Sequence, residues 1–445
     1  LGGYLLIPVK TAVDLPMLPA FDKDLSAVAA AVLLILLERR ARMGTFGASG
    51  TTPPEMLPGW LPRQFWVRAC LAGLVVGAFL TAMANSEPLF YGPRVVPGIG
   101  TYDAFSVVLN SLVPLLPFVL AWKYLGDPKS QGMLLVALAV AAGIYMVPAL
   151  FEVRMSPQLN TWIYGFFPHS FAQHMRGDGF RPVVFLQHGL WLSLFLSLGF
   201  LAALACIRLA AARWRPLFIG LAAALFVTLV LSKSLGALMI AVLFAPVVLV
   251  GWPRLQFLFA AAIAAAVLTY PMLRASGTAP VEAMATFAGS ISEKRAGSFR
   301  YRLHHEDLML DKAARKPLLG WGGWGRWRVF NDQGRDITVS DGRWVITFGE
   351  GGWLRYVSLF GLLGLPVLLA TLRARRLELE PVTAAIALLL AANLIDLVPN
   401  SGLTPITWLL AGALAGRLEH GRVRADGPAA APAPAMAAPR SPYAP

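Results

Sequence analysis

The feature that most constrains this chain is a succession of apolar blocks, each about 17 to 25 residues long, separated by polar connections. A helix rising 1.5 Å per residue needs about 20 such residues to cross ~30 Å of hydrocarbon. Blocks near 24–38, 65–84, 104–122, 131–151, 183–207, 216–231, 235–251, 255–272, 344–372, 382–398 and 402–416, with a short run at 1–9, predict about twelve transmembrane helices. The expected fold class is an all-α polytopic membrane protein. Hydrophobic residues make up 57% of the 445 and charged residues only 14%, which excludes disorder, a collagen-like chain and a disulfide scaffold. The chain begins with Leu1 rather than Met, so the expectation is that residues of a first span lie upstream.

A net charge of +14 in a soluble protein points to nucleic acid, but in a membrane protein it has a second cause. Cytoplasmic loops collect Lys and Arg. The stretches from Glu38 to Arg68, Lys123 to Lys129, Arg208 to Arg215, Arg254, Arg373 to Arg376, and Arg417 to Arg424 fall on one side of the expected helices. The other side receives 85–103, 152–182, the turn at Lys233, the segment 273–343 and the turn at 399–403. The alternation holds at every step, so the first set is expected in the cytoplasm and no nucleic-acid partner is expected. Cys70 and Cys206 lie far apart inside apolar blocks and imply neither a disulfide nor a metal framework.

Four regions follow. Residues 1–272 form transmembrane helices with an external loop at 152–182, and 273–343 form a large external loop with an amphipathic helix. Residues 344–419 form the C-terminal transmembrane helices, and 420–445 an Ala-Pro tail too poor in core-forming residues to fold. The external loops carry nearly all the unusual polar sequence. In 152–182 and the span after it, Arg176, Arg181 and His188 accompany several amides and aromatics, residue types that stack on sugars and hold hydroxyls or phosphates. The bland alternative is an aromatic belt at the membrane interface. His188 is expected about a turn and a half inside the next span, facing a wet cavity. Lys233, between two spans, is either a snorkelling cation or an anion contact helped by Ser232, Ser234 and the start of the following helix.

The loop 273–343 holds twelve basic residues against eight acidic ones. Within it, 298–317 has helical spacing up to Pro317, with Arg300 and Arg302 expected in or before its first turn, where they would share an anion such as a pyrophosphate. His304-His305-Glu306-Asp307 cannot all converge on one metal from a helix, because neighbours point about 100° apart. Trp321 and Trp324, in a glycine-rich run, suit either a turn close to a sugar or a membrane anchor. Asp341 stands at the entry to a span, where partial burial would raise its pKa and suit it to general-base work, or where it caps a helix. Glu350 lies deeper, paired with an Arg or functional.

Over roughly residues 150 to 370 the chain resembles the O-antigen ligase and O-antigen polymerase superfamily of bacterial envelope glycosyltransferases. Leu231-Ser232-Lys233-Ser234 is similar to that family's Ser-Arg-Gly turn. Arg302, with the helix running to Pro317-Leu-Leu-Gly320-Trp-Gly322, resembles its arginine helix, and Asp341 to Gly364 resembles its last external motif. The resemblance implies a GT-C-type inverting glycosyltransferase of the bacterial inner membrane, active at the periplasmic face without metal or cofactor. It implies an undecaprenyl-diphosphate-linked glycan donor, a glycan, lipid or protein acceptor, contact with membrane lipids, and a chain-length regulator or other envelope protein as partner.

Asp341, Arg302 and Lys233 are the implied catalytic residues. Arg300, Arg181, His188, Arg176, Trp324, Trp321 and Glu350 are the implied substrate-binding set. Two positions depart from the pattern: the ligases carry a His where this chain has Asp341-Gly342, and Lys233 replaces an Arg. The Asp resembles the polymerase side of the family or an exopolysaccharide branch, and leans the expectation toward a polymerase. The competing readings are a transporter or flippase of anionic lipid-linked glycans, and a loop that only docks envelope partners through Trp321, Trp324 and Trp327.

Overall fold

The computed structural model describes all residues except 11, 14–20, 45–55, 178, 292, 376–377, 379 and 427–445. Arg376 of the expected cytoplasmic cluster and most of the Ala-Pro tail thus lie outside the described residues. The chain order is α1 Gly2–Leu6, α2 Lys23–Gly44, α3 Phe65–Met83, α4 Thr101–Leu112, α5 Leu116–Tyr124, α6 Pro128–Met155, α7 Leu159–Tyr164 and α8 Gly189–Leu209. Then follow α9 Arg215–Leu231, α10 Leu235–Val250, α11 Pro253–Ala275, α12 Val281–Ile291, α13 Glu293–Ala313, α14 Arg343–Arg373, α15 Pro381–Asp396 and α16 Pro405–Asp426. Helices dominate, as expected. The exceptions among the described residues are two small antiparallel ribbons, β1 Leu89–Tyr91 with β2 Arg94–Val96, and β3 Met175–Arg176 with β4 Gly179–Phe180.

Seven helices among the described residues are long and apolar enough to cross a membrane: α3, the kinked unit Thr101–Tyr124, α6, α8, Ala212–Leu231, α11 and α14. α10 and α15 are apolar but shorter. The expected run at 1–9 is a helix of only five residues, α1, and α2 and α16 end in charged turns. The block expected at 183–207 starts as a helix only at Gly189, because 183–187 is irregular and His188 is the N-cap.

Local chemistry sets the helix ends. Asp127 caps α6 by accepting from the Ser130 backbone N–H at 3.0 Å, with Pro128 in the first turn. α10 closes on Gly251 at φ 80°, and Arg208 donates to the last carbonyls, Val248 O at 3.0 Å and Gly251 O at 3.3 Å. α8 and α15 are buried along nearly their whole length and form the centre of the bundle. Among the described residues, the contact between α5 and α16 is the most extensive helix pairing. Gly412 and Gly416, one turn apart, face the Phe118 and Trp122 carbonyls with no room for a Cβ. Small residues at that spacing let helix backbones approach where water supplies no driving force.

Connections expected on one face bond to one another. Glu419 accepts from the Arg63 backbone N–H at 3.1 Å and from Trp122 Nε1 at 3.0 Å. On the opposite, loop-rich face, Lys312 donates to the Tyr91 hydroxyl at 2.7 Å, Arg326 to Pro97 O at 2.6 Å and Lys10 to Phe167 O at 3.3 Å.

Gly416→Val is expected to cost about 1–3 kcal/mol through overpacking against α5. Its thermal unfolding midpoint in detergent should fall. Gly220→Val, at a position with nothing within 4 Å of the added Cβ, should leave the midpoint near that of the parent.

Candidate functional site

On the loop-rich face, four separate segments meet. The β3–β4 ribbon leads into Arg181 and then α8. The turn between α9 and α10 carries Lys233 in the left-handed region at φ 55°. α13 presents Arg302, and the approach to α14 presents Asp341. Lys233 Nζ donates to Arg176 O at 2.9 Å, and Arg181 Nη2 donates to Lys233 O at 3.3 Å. Arg302 Nε lies 3.0 Å from Asp341 Oδ2 and its Nη1 donates to Pro399 O at 3.4 Å. Arg181 lies within electrostatic range of Arg176 and Arg302, which brings residues 176, 181, 233, 302 and 341 into one neighbourhood, although 165 positions separate the first from the last.

Among the described residues, the charge balance there is positive. Arg181 is 6% exposed and its Nε has no hydrogen-bond partner. Burial first, and then the neighbouring Arg176 and Arg302, push its pKa down to about 10. Among the described residues, Asp341 is paired to Arg302, and Asp396 at the end of α15 accepts from Asn400 Nδ2 at 2.8 Å and feels Arg302. Arg302 and Asp341 have side chains 34% and 36% exposed, so their pair is worth only ~0–1 kcal/mol. An incoming dianion can therefore take the guanidinium and release the carboxylate.

Several expected residues stand elsewhere or do other work. Arg300 and Arg302 lie in the middle of α13, which begins at Glu293, and not in its first turn. Arg300 points to solvent with Glu293 at 4.0 Å, so it does not join Arg302 at the cluster. His188 is not inside the span: its Nδ1 accepts from Leu190 N at 3.0 Å and its Nε2 faces Gln173 Oε1 at 3.4 Å, leaving neither nitrogen free. Burial, and then His174, His169 and the two arginines, push its pKa down to about 3. Ser232 is fully buried against Ser193 and offers no donor to an anion. Gly342, not Asp341, is the N-cap of α14.

Trp321 is a packing post, donating to Lys312 O at 2.8 Å with Lys312 and Lys316 over its ring at 5.1 and 4.8 Å. Trp324 and Glu350 line a separate cleft of about 200 Å³ between α3, α4 and α14, where Arg355 Nε lies 3.5 Å from Glu350 Oε2.

Two residues gain importance from the structure. His174 is fully buried between the ribbon and α8, donating from Nδ1 to Ser170 O at 3.0 Å and accepting from Gly189 N at 3.3 Å, which fixes the base of the loop. Glu306, read from sequence only as part of a His-Glu-Asp run, turns inward behind Asp341. It is 7% exposed, accepts from Trp344 Nε1 at 3.3 Å and sits 3.7 Å from Arg274 Nε. Helical periodicity around Leu303, Met309 and Leu310 could have assigned it to the inner face. Among the described residues, no group of three or more His, Cys, Asp or Glu is placed to hold a metal ion.

No family model matches the chain, and no curated protein or solved structure matches it.

Burial raises the Glu306 pKa from 4.5 to about 7. The folded state then holds a proton that the unfolded state releases, so this group lowers stability as pH rises from about 4.5 to about 7, with the full penalty above that range. Glu306→Gln is expected to flatten that slope and to stabilise the protein at pH 8 by up to about 3 kcal/mol. Unfolding midpoints of the variant and parent, measured from pH 5 to pH 8, check this. Parallel curves would show that Glu306 is already ionised.

Proposed function

We propose that the chain is a membrane-embedded inverting glycosyltransferase of the O-antigen ligase and polymerase type, closer to the polymerases. It spans the bacterial inner membrane about twelve times in a GT-C-type arrangement, with its loop-rich face in the periplasm. Its donor is a glycan on undecaprenyl diphosphate and its acceptor a hydroxyl of a glycan, lipid or protein.

The observation that carries this reading is the convergence of Arg176, Arg181, Lys233 and Arg302 with, among the described residues, one weakly held carboxylate, Asp341. A lipid diphosphate supplies the anion that this surplus lacks. As the bond from the anomeric carbon to the diphosphate oxygen breaks, negative charge grows on the leaving group, and Arg302 and Lys233 stabilise it. Asp341, freed from Arg302, accepts the proton of the attacking hydroxyl, which forms the new glycosidic bond on the opposite face of the sugar.

One observation favours a transporter or flippase as the second reading: α14 is broken at Gly351–Gly352 beside Glu350, and discontinuous helices mark many transport sites. Against it, His188 and Asp396, the other ionisable groups expected within spans, stand at helix ends.

The test uses the full chain in nanodiscs with undecaprenyl-diphosphate-linked oligosaccharide and a labelled acceptor glycan. Arg302→Ala and Asp341→Asn should each lower kcat by about 100-fold or more. Lys233→Gly should lower transfer while keeping or raising the unfolding midpoint, because glycine relieves the left-handed turn. Full transfer by Arg302→Ala and Asp341→Asn overturns the site. Movement of the glycolipid across proteoliposomes without a new bond selects the transporter.

A further inference from the structure

The loop before α8 is fastened through one side chain. His174 is fully buried at the end of a single 3₁₀ turn, Phe171–His174, and its ring is bonded at both nitrogens. Ser170 O can only accept and Gly189 N can only donate, so the bonds to them at 3.0 and 3.3 Å require a neutral imidazole with its proton on Nδ1. The backbone of the same residue makes a third tie, because Arg181 N donates to His174 O at 2.8 Å.

These three bonds enclose Arg181. Gly189, held by the His174 ring, lies directly under the Arg181 stem: a Cβ there would stand 2.5 Å from both Cγ and Cδ. Arg181 then reaches Lys233 O with Nη2 at 3.3 Å, and Lys233 Nζ returns to the ribbon through Arg176 O at 2.9 Å. The ribbon itself pairs only Met175 with Phe180 and Arg176 with Gly179. A two-stranded pairing so short cannot by itself fix a long cationic side chain. The fastening comes from His174.

The surroundings of the ring oppose a proton. Among the described residues, Arg181 after the ribbon, His169 in the preceding loop and Arg176 in the ribbon all disfavour a charged ring, and the His188 ring at the head of α8 stands 4.9 Å away. Burial acts first, and with these neighbours it lowers the His174 pKa from 6.5 to about 4. A protonated ring would also turn Nε2 into a donor facing the Gly189 N–H. Because the folded value lies below the unfolded one, the contribution of this residue is fully present above pH 6.5 and is lost as pH falls toward 4.

We propose that His174 is a positioning residue for Arg181: its neutral ring fastens the β3–β4 ribbon to the start of α8 and holds the guanidinium at Lys233, and protonation unfastens both. The cation cluster is then assembled at neutral pH and comes apart in acid by local opening. The ring touches no substrate and acts through the Arg181 side chain. The inference deepens the glycan-transfer reading and rests on it only for the effect on turnover.

Hydrogen exchange of the full chain in nanodiscs, corrected for the intrinsic rate at each pH, tests the fastening on the peptide that contains Arg181 and Gly189. Its protection should fall by about 20-fold or more from pH 7 to pH 5 in the parent. His174→Gln keeps a donor and an acceptor and takes no proton, so it should remove at least about tenfold of that fall, with His188 left to titrate as before. His174→Leu lacks both bonds and should be poorly protected at either pH. Parallel falls in the parent and His174→Gln, or parent-like protection in His174→Leu at pH 7, overturn the proposal. Kinetics with undecaprenyl-diphosphate-linked oligosaccharide test the route through Arg181. At pH 7 His174→Leu should raise KM for the donor by about tenfold, His174→Gln should restore it, and His174→Leu combined with Arg181→Gln should be no worse than Arg181→Gln alone. Additive losses in the double variant overturn the proposal. Absence of transfer in parent and variants alike would refute the glycan-transfer reading, while the exchange result still decides for or against His174.

Discussion

The interaction on which the loop-rich face depends is the mutual satisfaction of two irregular backbones. A helix cannot be interrupted near hydrocarbon unless its freed N–H and C=O groups find partners, because each one left bare costs roughly 1–3 kcal/mol or more. α14 is interrupted at Gly351–Gly352, and four hydrogen bonds from or to residues 317–322 close the gap. Both strips need glycine for the approach: a Cβ on Gly320 would run into the Glu350 and Gly351 backbone, and one on Gly352 into Pro317 and Leu318. The lock fixes the end of the long segment 273–343 to the helix bundle.

The candidate site residues of that segment are positioned from this lock and a second one. Lys312, enclosed by Tyr91, Trp321 and Phe330 at 5.1, 5.1 and 5.9 Å, ties the C-terminal end of α13 to the β1–β2 ribbon. Arg326 adds bonds to Trp321 O at 3.0 Å and Pro97 O at 2.6 Å. With α13 held at its C-terminal end and Asp341 held by the start of α14, the Arg302–Asp341 pair forms between two fixed supports. Its weakness, a consequence of partial exposure, is then a property of the charges and not of a loose frame.

Much of this was legible in the sequence, and the limits are physical. Apolar block length exceeds any competing signal, so nearly every expected crossing coincides with a helix, seven of them long and apolar enough to cross a membrane among the described residues. Asp341, Arg302, Lys233 and Arg181 were singled out one loop at a time, and the structure gathers them because turns on one face of a bundle are forced together. Arg300 was misjudged because helix starts are read from weak caps, and α13 opens at Glu293, well before the apolar spacing becomes visible. His188 was misjudged because a His can cap a helix with its own ring nitrogen, a pattern that hydropathy does not report. The separation of Glu350 and Trp324 from the cation cluster depends on the kink in α14, and two adjacent glycines in a long apolar run do not reveal a break by themselves.

The break also bears on how much this face can move. Alternating access requires a gate whose backbone partners can be exchanged between two states. Here the interrupted helix and the loop that seals it are locked glycine against glycine, so sliding one past the other would strip four hydrogen bonds where lipid offers no replacement. Trp321 N and Gly322 N belong to the same run whose side chains pack on Lys312 and Lys316, so the seal cannot open without also disturbing those cation–π contacts. On the proposed function, a rigid seal suits a scaffold that holds Arg302 and Asp341 still while charge moves between donor and acceptor. In that frame the helix discontinuity, the feature most suggestive of transport, anchors the end of segment 273–343 to the bundle.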